Sequence, residues 1–283
     1  MAPWLTDMAL TVADAWMAAV PRPTPSAEAL AQCRIVAHRG EHQGSHLAEN
    51  TLAAFDRAAS AGVWGIETDI RWTADLVPVI IHDADTARVF GRNLRVADAT
   101  LAELREAVPE VPTLAEVVAR FGTSTHLMLE LKDERFPDLA AQKRILREHL
   151  VGLEAGTDYH LLALDPTLFE RFDIVEPRHC LPVAMTNMAA MSKAALDAGY
   201  GGVTGHFLLL TDAIRDRHLA AGQHAGTGFI RSANALAREI HRGMAWIFTN
   251  DSVAIQHVLD DARRQNPAMA GSGETGRRGS RPG

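Results

Sequence analysis

The chain has little cysteine: two residues, Cys33 and Cys180, in 283. Both fall in apolar runs, which suits buried free thiols and excludes a disulfide-stapled fold. No apolar run approaches the length of a membrane span. The apolar N-terminus is interrupted by Asp7 and Asp14 and has no preceding basic segment, so no signal peptide is read there and the cytoplasm is the expected location. Positive charge is also scarce. The formal net charge is −7, which supplies no basic field for nucleic acid and disfavours a nucleic-acid phosphodiesterase. Neither GxGxxG nor GxxxxGK[ST] follows any apolar run, which argues against an open, doubly wound nucleotide-binding sheet.

What is present is alternation. Leu5, Met8, Val12, Trp16 and Ala19 recur at helical spacing, and Pro21, Pro23 and Pro25 break that helix. An N-terminal accessory helix packed under the domain, with its Pro-rich link, is expected over residues 1–31. From 32 to 265 short apolar runs alternate with amphipathic helices. Strands are expected at Ile35–Ala37, Trp64–Ile70, His126–Leu131, Tyr159–Leu164, Cys180–Met185, Gly201–Gly205, His224–Ile230 and Ala245–Phe248. Eight strand–helix units predict a parallel sheet closed into a single (β/α)8 TIM barrel. Val77–Ile81 returns too soon for a helical crossover and is expected as a hairpin-like excursion. Thr100–Glu103 and Thr113–Glu116 are capping boxes that start helices. Asn50 is expected to cap the helix after the first strand, and Asp165-Pro166 to open the one after Tyr159–Leu164. Residues 266–283 are rich in glycine and lack periodicity, so a disordered tail is expected.

The chemistry concentrates on strand ends, where barrels of this kind place their active sites. Glu67 and Asp69 lie two apart on one strand and so share a face. Two acids on one face of an apolar strand call for a cation. With Glu130 they form three hard oxygen donors suited to Mg²⁺ or Ca²⁺ rather than zinc. Arg39 and Lys132 are cations matched to phosphate. His38 and His82 flank the carboxylate pair and fit a general acid and a general base. Together these read as phosphodiester chemistry. His42 and His46 read as surface residues, His206 and His224 as structural or rim residues, and Met188 with Met191 as core.

The segment Ile35–Asp83 resembles the glycerophosphodiester phosphodiesterase family. The matching motifs are His38-Arg39-Gly40, Glu49-Asn50-Thr51-Leu52-Ala53-Ala54-Phe55, Glu67-Thr68-Asp69, Thr73-Ala74-Asp75, Val77-Pro78-Val79 and His82-Asp83. Pro112-Thr113-Leu114 and Leu129-Glu130-Leu131-Lys132 continue them, and Thr249-Asn250-Asp251 is a weaker echo. The resemblance implies hydrolysis of small-molecule glycerophosphodiesters to an alcohol and glycerol 3-phosphate, by way of a cyclic phosphate, in lipid and glycerol metabolism. It implies His38 and His82 as the acid/base pair, Glu67, Asp69 and Glu130 as metal ligands, Arg39 and Lys132 on phosphate, and Glu49 and Asn50 in support. The chain departs from the pattern at Ala48 (usually Pro), Leu76 (usually Gly) and Gly226-Thr227-Gly228-Phe229 (usually Trp-Thr-Val-Asn), leaving Phe229 as the apolar wall. Two rival readings are a lysophospholipase D or sphingomyelinase D type of barrel, which calls for an apolar rim, and a catalytically dead binding barrel, which calls for a lost histidine or metal ligand.

Overall fold

A computed structural model describes residues 15–42 and 46–266. Among the described residues there are nine strands: β1 (Arg34–His38), β2 (Gly65–Trp72), β3 (Pro78–Ile80), β4 (His126–Leu131), β5 (Tyr159–Ala163), β6 (Cys180–Ala184), β7 (Gly202–His206), β8 (His224–Gly228) and β9 (Trp246–Thr249). Eight of them run parallel in the order β1-β2-β4-β5-β6-β7-β8-β9, and β9 pairs again with β1 to close the barrel. β3 is the hairpin excursion and pairs antiparallel with β2. Its turn places Leu76 at φ +60°, a left-handed position that explains why glycine is usual there.

Helices follow each barrel strand for reasons visible in the chain. Both capping boxes form, at Thr100/Glu103 and Thr113/Glu116. After β1, however, Thr51 caps the helix Leu52–Ser60, its hydroxyl accepting from the Ala54 amide. Asn50 is not the cap. It sits at φ +57° with its side chain turned into the barrel mouth. Pro166, rather than Asp165, is the N-cap of Thr167–Phe172, and the Asp165 carboxylate accepts from the Thr167 amide.

Only residues 15–19 of the expected N-terminal helix are described, and they are helical. Here Met17 faces in and Trp16 is 59% exposed, the reverse of the predicted stripe. The segment reaches the helix Ala233–His241, where the Ala18 carbonyl accepts from Asn234. The remainder of that helix, and the tail from 267, lie outside the described residues. The helix Ala27–Gln32 is tied to the C-terminal helix Ser252–Gln265 by Arg263, which donates to the carbonyls of Leu30 and Cys33. Both cysteines are free and buried.

The main core lies between strands and helices. A separate cluster of Val36, Met128, Leu162, Leu181, Trp246 and Phe248 fills the barrel interior. Gly226 makes room for it, since a Cβ there would stand 2.9 Å from the Phe248 ring. At the N-terminal strand ends, opposite the mouth, Trp64 stacks on His126 at 4.2 Å and His224 on Trp246 at 4.2 Å. His126 and His160 share a 2.8 Å hydrogen bond. Burial pushes His126 down to about 4 and His160 down to about 3 from the usual 6.5. The fold therefore holds both neutral, whereas the unfolded chain protonates them below about pH 6.5. Their contribution is present above that pH and is lost as pH falls through it toward 4. The melting temperature is expected to fall by roughly 5–10 °C between pH 7 and pH 5, and His160→Gln should flatten the dependence. Calorimetric scans across that range check this, and an unchanged midpoint would contradict it.

Candidate active site

Strand register builds the site. β1–β2 pairing sets His38 opposite Glu67, and β2–β4 pairing sets Asp69 opposite Glu130. All four project at the C-terminal end of the barrel. There His38, Arg39, Glu67, His82, Glu130 and Lys132 line one cavity of about 320 Å³, which Phe229 also lines. Asp69 lies just beneath, 1% exposed.

The three carboxylates are buried, and their oxygens lie within 4.8 Å of one another. Burial raises Glu67 well above the usual range, and the neighbouring Asp69 and Glu130 charges add to this. Burial and the Asp69 charge likewise raise Glu130. For Asp69, burial is outweighed by Lys132 and then Arg39, which hold it at about 2. Lys132 Nζ is 2.7 Å from Asp69 Oδ1 and also bonds Glu130. Asn50 donates to Asp69 Oδ2 at 2.7 Å and accepts from the Thr68 hydroxyl at 2.8 Å. One carboxylate is thus ionised, and two are held toward the neutral form by burial and by the Asp69 charge. A divalent cation among them would ionise the whole set, and the all-oxygen donors fit a hard ion.

The two histidines are oriented differently. Asn250 Oδ1 accepts from His38 Nδ1 at 2.6 Å. An amide oxygen only accepts, so Nδ1 carries the proton and Nε2, 3.7 Å from Glu67 Oε2, is the basic nitrogen. Burial, helped by the Arg39 charge, lowers His38 to about 4. His82 instead gives Nδ1–H to the Asp83 carboxylate at 2.7 Å. Its main chain is fixed by Arg71, whose Nε donates to the His82 carbonyl and whose Nη1 donates to Glu134.

Arg39 takes φ +58°. Its amide donates to the Glu67 carbonyl, and its guanidinium meets Glu49 at 2.9 Å and Asp69 at 3.5 Å. Gly40 follows at φ +78° and closes against the next helix, where a Cβ would stand 2.8 Å from Phe55. Three of the five non-glycine residues with positive φ among the described residues, Arg39, Asn50 and Phe229, are at this mouth, as expected where a site stores backbone strain. Phe229 meets His38 edge-on at 5.9 Å and stacks on His206 at 5.4 Å. His206 is therefore a rim residue, whereas His224 belongs to the cluster at the far end of the barrel.

Arg88 is absent from the sequence expectation, and Asn250 enters it only within the Thr249-Asn250-Asp251 echo, without a role. Arg88, on the short helix Ala87–Phe90, forks onto Glu49 at 2.6 and 3.1 Å and reaches Asp83 at 2.5 Å. It joins the support of Arg39 to the support of His82. Asn250 orients His38, and its place at the end of β9 was the available signal.

Barrel and mouth together define a (β/α)8 protein whose strand ends carry an oxygen-donor cluster between two histidines, beside cations suited to a phosphate. The sequence model of the glycerophosphoryl diester phosphodiesterase family matches residues 38–236, and the chain belongs to that family. Among its relatives, glycerophosphodiester phosphodiesterase 1 of Mus musculus is 37% identical over 136 residues, 45% of this chain and 37% of the relative. The glycerophosphodiester phosphodiesterase of Caldanaerobacter subterraneus is 36% identical over 110 residues, 35% of this chain and 44% of the relative. The matched segments thus span less than half of these relatives' lengths. The Thermotoga maritima glycerophosphodiester phosphodiesterase structure superposes with TM-score 0.67 at 20% identity, covering 80% of this chain and 98% of that one. An Oleispira antarctica phosphodiesterase, solved with sn-glycerol-3-phosphate, gives TM-score 0.67 at 22% identity, covering 80% and 96%. At these identities the structures show a shared fold. No helix among the described residues is long and apolar enough to cross a membrane.

Proposed function

We propose that the protein is a divalent-metal-dependent glycerophosphodiester phosphodiesterase, releasing an alcohol and glycerol 3-phosphate from small-molecule diesters in the cytoplasm. The observation that carries this reading is the pair of differently oriented imidazoles set around three clustered carboxylates. Glu67, Asp69 and Glu130 would hold the ion, Mg²⁺ or Ca²⁺, which when bound neutralises phosphate charge and polarises phosphorus. Arg39 and Lys132 grip the phosphate oxygens. His38, left unprotonated at Nε2 because its Nδ1–H faces Asn250, removes the proton from the attacking hydroxyl. His82, whose Nδ1–H faces a carboxylate that stabilises imidazolium, delivers a proton to the leaving oxygen. The attacking group is a hydroxyl of the substrate glycerol. Water then opens the cyclic phosphate with the two roles exchanged. The product bound in the Oleispira barrel is the product proposed here.

The test is glycerol 3-phosphate release from glycerophosphocholine and glycerophosphoethanolamine, with and without EDTA. Loss on chelation and recovery with Mg²⁺ or Ca²⁺ are expected. Activity that survives both EDTA and His82→Ala would sink the mechanism. Metal binding without turnover of any diester would leave a binding barrel.

Arg88 acts through Glu49 and Asp83 as a positioning residue. Arg88→Met is expected to lower kcat/KM by roughly 10–100-fold, the range seen when groups that orient ligating or catalytic side chains are removed. Arg88→Lys should fail to restore it, because an ammonium cannot fork onto Glu49 while reaching Asp83. Steady-state kinetics of both variants decide the matter, and wild-type rates in Arg88→Met would dismiss the role.

A further inference from the structure

We propose that Glu41 is a positioning residue for His38: it ties the turn after the first strand to the turn after the last, and so keeps Asn250 on His38 Nδ1. This rests on the reading above that His38 is the general base, and it names what sets that residue's tautomer. The tie lies where the barrel closes. The β1–β9 ladder ends at the pair Ala37 and Thr249. His38 and Asn250 are the next residue on each chain, one step beyond the ladder. Their alignment, and the 2.6 Å hydrogen bond from His38 Nδ1 to Asn250 Oδ1, therefore depend on side chains. The opposite tautomer has a partner waiting, since Glu67 Oε2 stands 3.7 Å from His38 Nε2.

Asn250 is pinned from two directions. Toward β8, the Thr249 hydroxyl donates to the Ile230 carbonyl at 2.6 Å and accepts from the Asp251 amide at 3.0 Å. Toward β1, the tie is Glu41. Asp251 is the N-cap of the helix Ser252–Gln265, yet its side chain makes no capping bond and turns to Arg231 at 3.2 Å. The cap comes from across the seam, at a sequence separation of 211 from Ser252. Glu41 Oε2 accepts from the Ser252 hydroxyl and from the Val253 amide, both at 2.8 Å. A carboxylate suits a helix start, where unpaired N–H groups and the helix dipole point at it. Glu41 is 5% exposed and Ser252 is fully buried, so water is a poor substitute for either partner. Glu41 is itself anchored, its amide donating to the Ala54 carbonyl at 3.0 Å. At its far end the same helix is held by Arg263 on the carbonyls of Leu30 and Cys33. The last helix thus braces β1 before and after the strand, and the Glu41 end is the one that bears on His38. Without that tie the helix start and Asn250 drift from the seam. His38 Nδ1–H then loses its acceptor, and the Nε2–H tautomer, which cannot take a proton from the substrate at Nε2, gains population.

The test uses the full chain with Mg²⁺ or Ca²⁺ present. In Glu41→Ala, kcat for glycerophosphocholine is expected to fall roughly 10–100-fold while KM stays within about two-fold. Glu41→Gln, whose amide oxygen can accept both bonds, should recover to within about three-fold of the wild type. In an Asn250→Ala background, Glu41→Ala should cost no more than about two-fold, because the tie has nothing left to position. Nitrogen NMR on histidine-labelled protein gives a readout independent of turnover, with the His38 signals assigned by their loss in His38→Gln. The wild type and Glu41→Gln should show protonated Nδ1, and Glu41→Ala a growing share of protonated Nε2. If Glu41→Ala does not fold, Ser252→Ala removes one of the two bonds and carries the same comparisons, with a kcat loss of about three-fold that disappears when Asn250 is also replaced by Ala. An unchanged His38 tautomer, a loss that multiplies with that of Asn250→Ala, or a loss carried by KM would make Glu41 a helix cap only and overturn the proposal. A tautomer shift in a protein that turns over no diester would overturn the phosphodiesterase reading and leave the tie standing.

Discussion

Asp69→Asn is expected to lower kcat/KM for glycerophosphocholine by roughly 10³–10⁴-fold, the loss that follows from several kcal/mol of missing transition-state charge stabilisation. Asp69 is the carboxylate around which the mouth is arranged. Asn50, Arg39 and Lys132 all reach it, and it alone of the acidic cluster is held down, to about 2. The substitution keeps the shape of the side chain and removes its charge. Lys132 then turns wholly to Glu130, and the donor set loses the oxygen that is always ionised. The effect should be separable from misfolding. Circular dichroism should remain that of the wild type, while calorimetric titration with Ca²⁺ or Mg²⁺ shows affinity reduced by at least ~10-fold. A folded Asp69→Asn protein with near wild-type turnover would remove the metal cluster from the mechanism.

The second large effect belongs to His82. His82→Ala is expected to lower kcat by roughly 10²–10⁴-fold on glycerophosphocholine, whose alcohol leaves poorly without a proton. On a glycerophosphodiester of p-nitrophenol, which leaves as a stable anion, the loss should shrink to within about ten-fold, since no acid is needed. The hydrogen bonds motivate the assignment. Asp83, a carboxylate, accepts from His82 Nδ1 and stabilises the cationic ring against the burial that lowers it, whereas Asn250 accepts from His38 Nδ1 with a neutral amide oxygen. His38→Ala should be damaging on both substrates, because removal of the attacking proton is common to both. Equal losses on the two leaving groups in His82→Ala would reverse or abolish the assignment.

The legible and the illegible parts of the site differ in physical kind. Glu67 and Asp69 were readable as a facing pair because side chains alternate along any strand, whatever surrounds it. The helix starts at Thr100 and Thr113 were readable because a capping box is closed within four residues. Asn50 shows where such reasoning stops. In Asn50-Thr51 either residue can cap by local rules. The choice fell to Thr51 because Asp69, distant in sequence, offers Asn50 a buried charged partner at 2.7 Å, and a hydrogen bond to a charged group outweighs a cap. Trp16 and Met17 are a similar case: both suit a helix, and the surface they meet decided which faces in. Arg88 could not be found at all. Its short helix has no periodic signal, and two of its three bonds go to Glu49, 39 residues away, which the pairing of β1 with β2 brings beside it.

The sequence by itself determined the number and order of strand–helix units, the family, and which acids and bases stand at strand ends, because these follow from period, local capping chemistry and short motifs. The tertiary structure alone decided the rest. Register put His38 against Glu67 and Asp69 against Glu130. Ring closure carried Asn250 to His38 and Phe229 to the rim. Lys132 and Arg39, outweighing burial at Asp69 alone, made one carboxylate in three the ionised one. Those outcomes depend on distance and desolvation between residues far apart in the chain, and no local rule encodes either.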